Sequence, residues 1–229
     1  MQDKKRYFSK GDIILWASSV VCILISFFLF EKGGYLSLVA SLVGVTSLIF
    51  NAKGNPLGQV LMIVFSVLYG IISWGFAYYG EMITYLGMTA PMALFALVSW
   101  LKNSYNGNKA EVKVGTIEKR EVLCGILLTV LVTFGFYFIL RYFHTAYLLP
   151  STISVATSFF AAYLTFKRSP YFALAYAAND VVLILLWGLA ALEEPSYMFV
   201  IVCFIAFLFN DLYGFWSWLK MEKRQTNNG

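Results

Sequence analysis

The sequence predicts an all-α integral membrane protein of eight transmembrane helices, one N-terminal helix followed by a 3+1+3 parallel repeat. Three observations carry that expectation. The 229 residues are 60% hydrophobic and only 13% charged, about half the charge of an ordinary soluble domain. Runs long enough to cross the ~30 Å hydrocarbon layer fall at about 12–30, 34–51, 57–79, 82–101, 122–143, 146–166, 171–192 and 196–219. Finally, Trp74-Gly75-Phe76-Ala77 returns as Trp187-Gly188-Leu189-Ala190, and Ser99-Trp100-Leu101-Lys102 returns as Ser217-Trp218-Leu219-Lys220.

The first span follows Lys4, Lys5, Arg6 and Lys10. That start is like a signal peptide's, but no small-x-small cleavage site follows, so the span is read as retained. Aligning the repeated tetrapeptides matches spans two to four with spans six to eight and sets Pro56 against Pro170. Span five is then a connector, which makes the two bundles run in the same direction. The expected divisions are 1–33 (tail and extra helix), 34–102 (first repeat), 103–145 (loop and linker helix), 146–220 (second repeat) and 221–229 (tail). The Asn-Gly and mixed charges of 102–120 read as a loop, and the polar tail has nothing apolar to bury and reads as disordered.

Orientation follows from the basic residues, because basic loops stay on the cytoplasmic side. The termini, Lys53, the 102–120 loop and Lys167-Arg168 hold fifteen of the 17 Lys and Arg, leaving Lys32 and Arg141 for the opposite side. Both termini are thus expected in the cytoplasm of a multi-pass cell-membrane protein, with the lipid bilayer as its main partner. The net charge of +5 follows from topology and points to no nucleic-acid partner.

Enzyme chemistry finds no foothold. His144 is the lone histidine, so histidine-cluster metal sites are excluded, and no HExxH, GxSxG or P-loop is present. Cys22, Cys124 and Cys203 fall inside spans without metal spacing and read as packing residues. No metal, cofactor or catalytic residue is expected.

A duplication inside hydrophobic sequence is how many carriers are built, with two related bundles around a site near the midplane. Asn179-Asp180 in span seven and Asn210-Asp211 in span eight are the candidate site. An acidic group at the centre of a membrane helix costs about 2.5–3.5 kcal/mol on insertion scales, so it faces a cavity or a partner. At about 1.5 Å per residue both pairs lie roughly 12–14 Å from the inner ends of their spans. Helical spacing adds Tyr176 and Trp187 on span seven, Tyr213 with Gly214 and Ser217 on span eight, and Gln59 with Ser66 and Ser73 on span three. Such stripes suit a ring-bearing polar solute, and for a cation the aspartates would neutralise charge while rings bind its face. The alternative is a buried polar network that only positions helices. Trp74, Trp100, Trp187 and Trp218 read mainly as interfacial belt residues.

Asn51-Ala-Lys-Gly-Asn-Pro-Leu-Gly-Gln59, Tyr78-Tyr-Gly-Glu-Met-Ile-Thr-Tyr85, Asn179-Asp180 with Leu185-Leu186-Trp187, and above all Asn210-Asp-Leu-Tyr-Gly-Phe-Trp-Ser-Trp-Leu-Lys-Met221 resemble the PnuC family of vitamin-precursor transporters. The resemblance implies paired three-helix bundles similar to the SWEET fold, a homotrimer, and facilitated diffusion of nicotinamide riboside, which a cytosolic kinase then traps for NAD biosynthesis. Riboside members carry a W-x-x-W-x-x-N pattern; ending it at Asn179 puts Ala173 and Tyr176 at the tryptophan positions, so only the Asn is carried over. The rival readings are a carrier of thiamine, riboflavin or a deoxynucleoside, and a receptor or accessory subunit that transports nothing.

Overall fold

Inside a bilayer every backbone N–H and C=O must be paired within the chain, and apolar runs satisfy that demand as helices. The computed structural model describes residues 7–31, 34–75 and 78–227. Lys4, Lys5, Arg6, Lys32 and the Phe76-Ala77 half of the first repeated tetrapeptide lie outside that set. Among the described residues eight helical spans are long and apolar enough to cross a membrane. They are α1 (Lys10–Phe30), α2 (Tyr35–Ala52), α3 (Leu57–Gly75), α4 with α5 (Tyr79–Thr84, Ala90–Lys102), α6 (Lys119–Tyr142), α7 (Leu148–Phe166), α8 (Tyr171–Ala191) and α9 (Met198–Asn227). One end of the array carries Lys10, Lys53 and Lys167 and is called the basic end below; the other carries Glu31, Glu81 and Glu194.

Local chemistry sets the boundaries. A capping box opens α1: Ser9 Oγ accepts the Asp12 N–H at 3.1 Å, and the Asp12 carboxylate accepts the Ser9 N–H at 2.6 Å. Such reciprocal bonds satisfy donors that have no intrahelical partner. The fourth span is not uniform, because a π-helical turn, Tyr85–Thr89, joins α4 to α5. Pro91, in the first turn of α5, has no N–H for the carbonyl one turn back, and the wider turn accommodates that loss.

The turns joining α2 to α3 and α7 to α8 are alike. Each has a left-handed residue two positions before a proline, Gly54 (φ 65) before Pro56 and Arg168 (φ 58) before Pro170. Glycine takes that conformation without cost, whereas arginine pays roughly 1–2 kcal/mol. Segment 102–120, predicted as a loop, in fact holds a hairpin of β1 (Ser104–Tyr105) and β2 (Asn108–Val112). It fastens both turns: the Val112 N–H donates to Gly54 O at 2.9 Å, and the Gly115 N–H donates to Arg168 O at 3.0 Å. The predicted disorder of the tail is also corrected, since α9 continues to Asn227. Gln225 gives this last stretch a partner, donating to Glu111 at 2.8 Å and Val112 O at 3.0 Å and accepting from the Val114 N–H at 2.8 Å.

The last four carbonyls of a helix have no intrahelical donor. At the basic end those of α2 and α7 are taken up by the repeated Ser-Trp pairs, each reaching across to the other bundle. Trp218 Nε1 donates to Asn51 O and Ser217 Oγ to Ala52 O, both at 2.7 Å. Trp100 Nε1 donates to Thr165 O at 2.9 Å and Ser99 Oγ to Phe166 O at 2.8 Å. The two indoles are 0% exposed and their centroids are 5.3 Å apart. Trp100 and Trp218 are therefore seam residues and not belt anchors. Trp74, by contrast, is exposed on the outer surface. Leu127, Val130, Leu131 and Phe134 of α6 are exposed too, as residues facing lipid are.

Candidate functional site

Two spaces open between the bundle of α2, α3, α4 and α5 and the bundle of α7, α8 and α9. The first is a central pocket of about 110 Å³, reached by Asn51, Tyr85, Tyr176, Asn179, Asp180 and Asp211. The second, toward the acidic end, is a cavity of about 370 Å³ reached by Glu31, Tyr69, Glu81, Trp187, Glu194 and Tyr197. Thr84, Tyr85, Ser154, Leu183 and Phe204 line both; the bulkier Tyr85, Leu183 and Phe204 are called the neck between them.

Four of the residues predicted from the sequence meet in the central pocket: Tyr176, Asn179, Asp180 and Asp211. Asn179 Oδ1 accepts hydroxyls from Thr157 at 2.7 Å and Ser154 at 3.2 Å, which leaves its amide nitrogen without a side-chain partner among these bonds. The Asp180 and Asp211 carboxyls are neighbours across the contact of α8 with α9. Asp180 is 4% exposed, and its Oδ2 is buried. Two carboxyls in contact inside the protein share a proton between them, so Asp180 and Asp211 act as a pair facing the pocket.

The other four lie elsewhere. Trp187 lines the acidic-end cavity, its ring 5.1 Å from that of Tyr197. Asn210 turns to α1, where its Nδ2 donates to Ser19 Oγ and to Ala206 O, both at 2.8 Å. Successive helical residues point about 100° apart, so Asn210 faces α1 while Asp211 faces the pocket. Tyr213 donates its hydroxyl to the Asp12 carboxylate, which also holds Lys53 Nζ at 2.9 Å. Gln59 Nε2 donates to Asn51 Oδ1 at 2.8 Å. This bond crosses where α2 and α3 approach so closely that a Cβ on Gly58 would collide with the Asn51 side chain. Of the serine stripe, Ser66 bonds Met62 O at 2.8 Å and only Ser73 reaches the cavity.

Sequence reasoning passed over Glu31, Glu81, Glu194, Tyr69 and Tyr85. One signal was available: Glu81 and Tyr85 stand one helical turn apart in the 78–85 motif, on the side of the membrane that carries almost no Lys or Arg. The wider turn at Tyr85–Thr89, which brings Tyr85 and Thr89 to the central pocket, has no comparable signature.

Eight apolar spans around a solute-sized hollow define a multi-pass membrane protein of the carrier class. The sequence profile of the nicotinamide mononucleotide transporter family matches residues 34–220, and the chain belongs to that family. It is a transporter and not an enzyme. It is 24% identical over 203 residues to the nicotinamide riboside transporter PnuC of Neisseria mucosa, spanning 87% of this chain and 77% of that one. It is 22% identical over 215 residues to the PnuC of Haemophilus influenzae, spanning 92% and 91%. The fold is similar to the crystal structure of a vitamin B3 transporter PnuC, with a TM-score of 0.80 at 22% identity over 95% of this chain and 94% of that one.

Proposed function

We propose that this protein takes up nicotinamide riboside by facilitated diffusion across the cell membrane, with both termini in the cytoplasm, and thereby feeds NAD synthesis. The observation that carries this reading is the lining of the acidic-end cavity: Glu31, Glu81 and Glu194 reach it, and no Lys, Arg or His does among the described residues. A mononucleotide brings a phosphate, which needs cationic or N–H donors. The riboside brings a pyridinium cation and no phosphate, and the carboxylates and rings suit it. Asn179, Asp180 and Asp211 then receive the solute at the centre, with Tyr176 beside them. Asn210, Tyr213 and Gln59 act indirectly, by fixing the helices that carry these groups. Rocking of one bundle against the other provides alternating access. Assembly as a homotrimer completes the reading, and light scattering of the detergent-solubilised protein tests it.

Uptake into proteoliposomes of labelled nicotinamide riboside, nicotinamide mononucleotide, thiamine and uridine is the direct test. Riboside uptake without mononucleotide uptake is expected. Selective uptake of thiamine, another ring cation, or movement of nothing at all overturns the proposal. Asp180→Asn is expected to lower riboside uptake at least tenfold while the variant still folds, since a buried contact to charge is worth about 1.5–3 kcal/mol. Unchanged uptake removes Asp180 as the cation's partner.

A further inference from the structure

The two spaces between the bundles differ in what they can hold. Sites for small molecules measure roughly 300–1,000 Å³, and the acidic-end cavity, at about 370 Å³, reaches that range. The central pocket, at about 110 Å³, has room for a few waters at about 30 Å³ each. In this conformation a nucleoside-sized solute fits above the neck of Tyr85, Leu183 and Phe204 and not below it.

The upper cavity also has chemistry of its own. Glu81 stands in the first turn of α4, and no side-chain donor or cation pairs with it among the described residues. The three ion pairs found among the described residues, Lys53 with Asp12, Lys167 with Glu121 and Arg224 with Glu111, are all at the basic end. Across from Glu81, Trp187 and Tyr197 hold their rings 5.1 Å apart, and on the near side Tyr69 and Tyr85 hold theirs at 5.2 Å. Tyr197 is fixed by a 2.8 Å bond between its hydroxyl and that of Tyr78. Below the neck, the paired carboxyls of Asp180 and Asp211 continue the acidic path. Carboxylates without counter-ions among aromatic faces bind an organic cation through charge and through the ring quadrupole.

We propose that the acidic-end cavity is a separate binding station for an aromatic organic cation, with Glu81 as its charge partner and Trp187 and Tyr197 as its ring faces. The solute loads there first and passes to the central aspartates when the neck widens. This rests on the transport reading for its direction but not for its ligand chemistry.

The test is equilibrium binding to the purified full chain, followed by tryptophan fluorescence quenching and by calorimetry. The probes are nicotinamide riboside and its reduced dihydropyridine riboside, a neutral molecule of nearly the same shape. Glu81→Gln is expected to weaken pyridinium riboside binding about tenfold, the effect of losing one partly desolvated charge contact. It should leave the neutral riboside within about twofold by the same reasoning. Asp180→Asn is expected to keep the first binding step while slowing uptake. Equal loss for both probes, or loss for neither, overturns the station. A Glu81→Gln variant that does not fold is replaced by Glu81→Asp, which should bind the cation at least fivefold better than Glu81→Ala. If the wild-type protein binds the cation with Glu81 dependence yet transports no riboside, the uptake reading fails and the station stands. If riboside is transported but its binding is indifferent to Glu81, the station fails and the uptake reading stands.

Discussion

The two ends of the molecule join the same pair of bundles in different ways. At the basic end four donors from the repeated Ser-Trp pairs cap carbonyls on the opposite bundle, and Phe172 packs edge-on against both indoles at 6.3 and 4.9 Å. At the acidic end the tyrosine hydroxyl contact between Tyr78 and Tyr197 crosses the mouth of a cavity of about 370 Å³. The basic end is thus packed shut, whereas the acidic end keeps a cavity that a single hydroxyl contact straps. Access from the basic side requires the Ser and Trp donors to leave their carbonyls, at about 1 kcal/mol net for each bond. Of the two tetrapeptides that recur in the sequence, Ser-Trp-Leu-Lys is the one that supplies these donors.

The largest effect that tests this contrast is on stability. Trp218→Ala removes a fully buried indole from the cluster with Trp100, Tyr163, Leu164 and Phe172 and leaves Asn51 O uncapped. A loss of about 3–5 kcal/mol is expected, as for other buried large-to-Ala changes. Trp74→Ala, at an exposed position of the acidic end, should cost about 0.5 kcal/mol or less, as surface changes do. Thermal unfolding of both variants in one detergent measures the difference; similar melting shifts would show that the seam is not the stabilising contact.

The next effect is on conformation. Ser99→Ala with Ser217→Ala removes two of the four crossing donors without cutting into the indole stack. The closed state should lose about 2 kcal/mol, enough to shift the balance of the two states roughly thirtyfold. The readout is labelling of a cysteine placed at Thr89, which lines the central pocket, in a background lacking Cys22, Cys124 and Cys203. A membrane-impermeant thiol reagent applied from the basic side should react faster with the double variant. Equal rates would mean that the serines are decoration on a seam the indoles hold alone.

The legible parts of this protein were those where lipid forces the issue. The eight spans follow from hydropathy because an apolar run of that length has no other solvent, and Asp180 and Asp211 stood out because acids in such runs are costly. Asn210 shows where the reading stopped. Its neighbour Asp211 faces the pocket, but nothing in the sequence states that α1 supplies Ser19 to receive the Asn210 amide, or Asp12 to receive Tyr213. Trp100 and Trp218 depart from the interfacial expectation for a related reason. Tryptophan near the end of a span usually sits at the interface, and only the partner carbonyls of Asn51 and Thr165 show that these two are interior. Nothing in the sequence marks Glu81 and Glu194 as lining residues, since the cavity they enter exists only when α3, α4, α8 and α9 come together.

The smallest expected effect belongs to the strap at the open end. Tyr197→Phe keeps the ring against Trp187 but ends the hydroxyl contact with Tyr78. One neutral hydrogen bond near solvent is worth about 0.5–1.5 kcal/mol net of the bonds to water that replace it. The ring face for a cation remains, so equilibrium binding should change about twofold or less, while solute should enter and leave faster because the mouth has lost its crossbar. Stopped-flow quenching separates the two: both rate constants should rise about twofold or more with their ratio nearly fixed. A change confined to the dissociation rate would mean that the Tyr78 contact orients Tyr197 for binding, and the strap would then belong to the site and not to the gate.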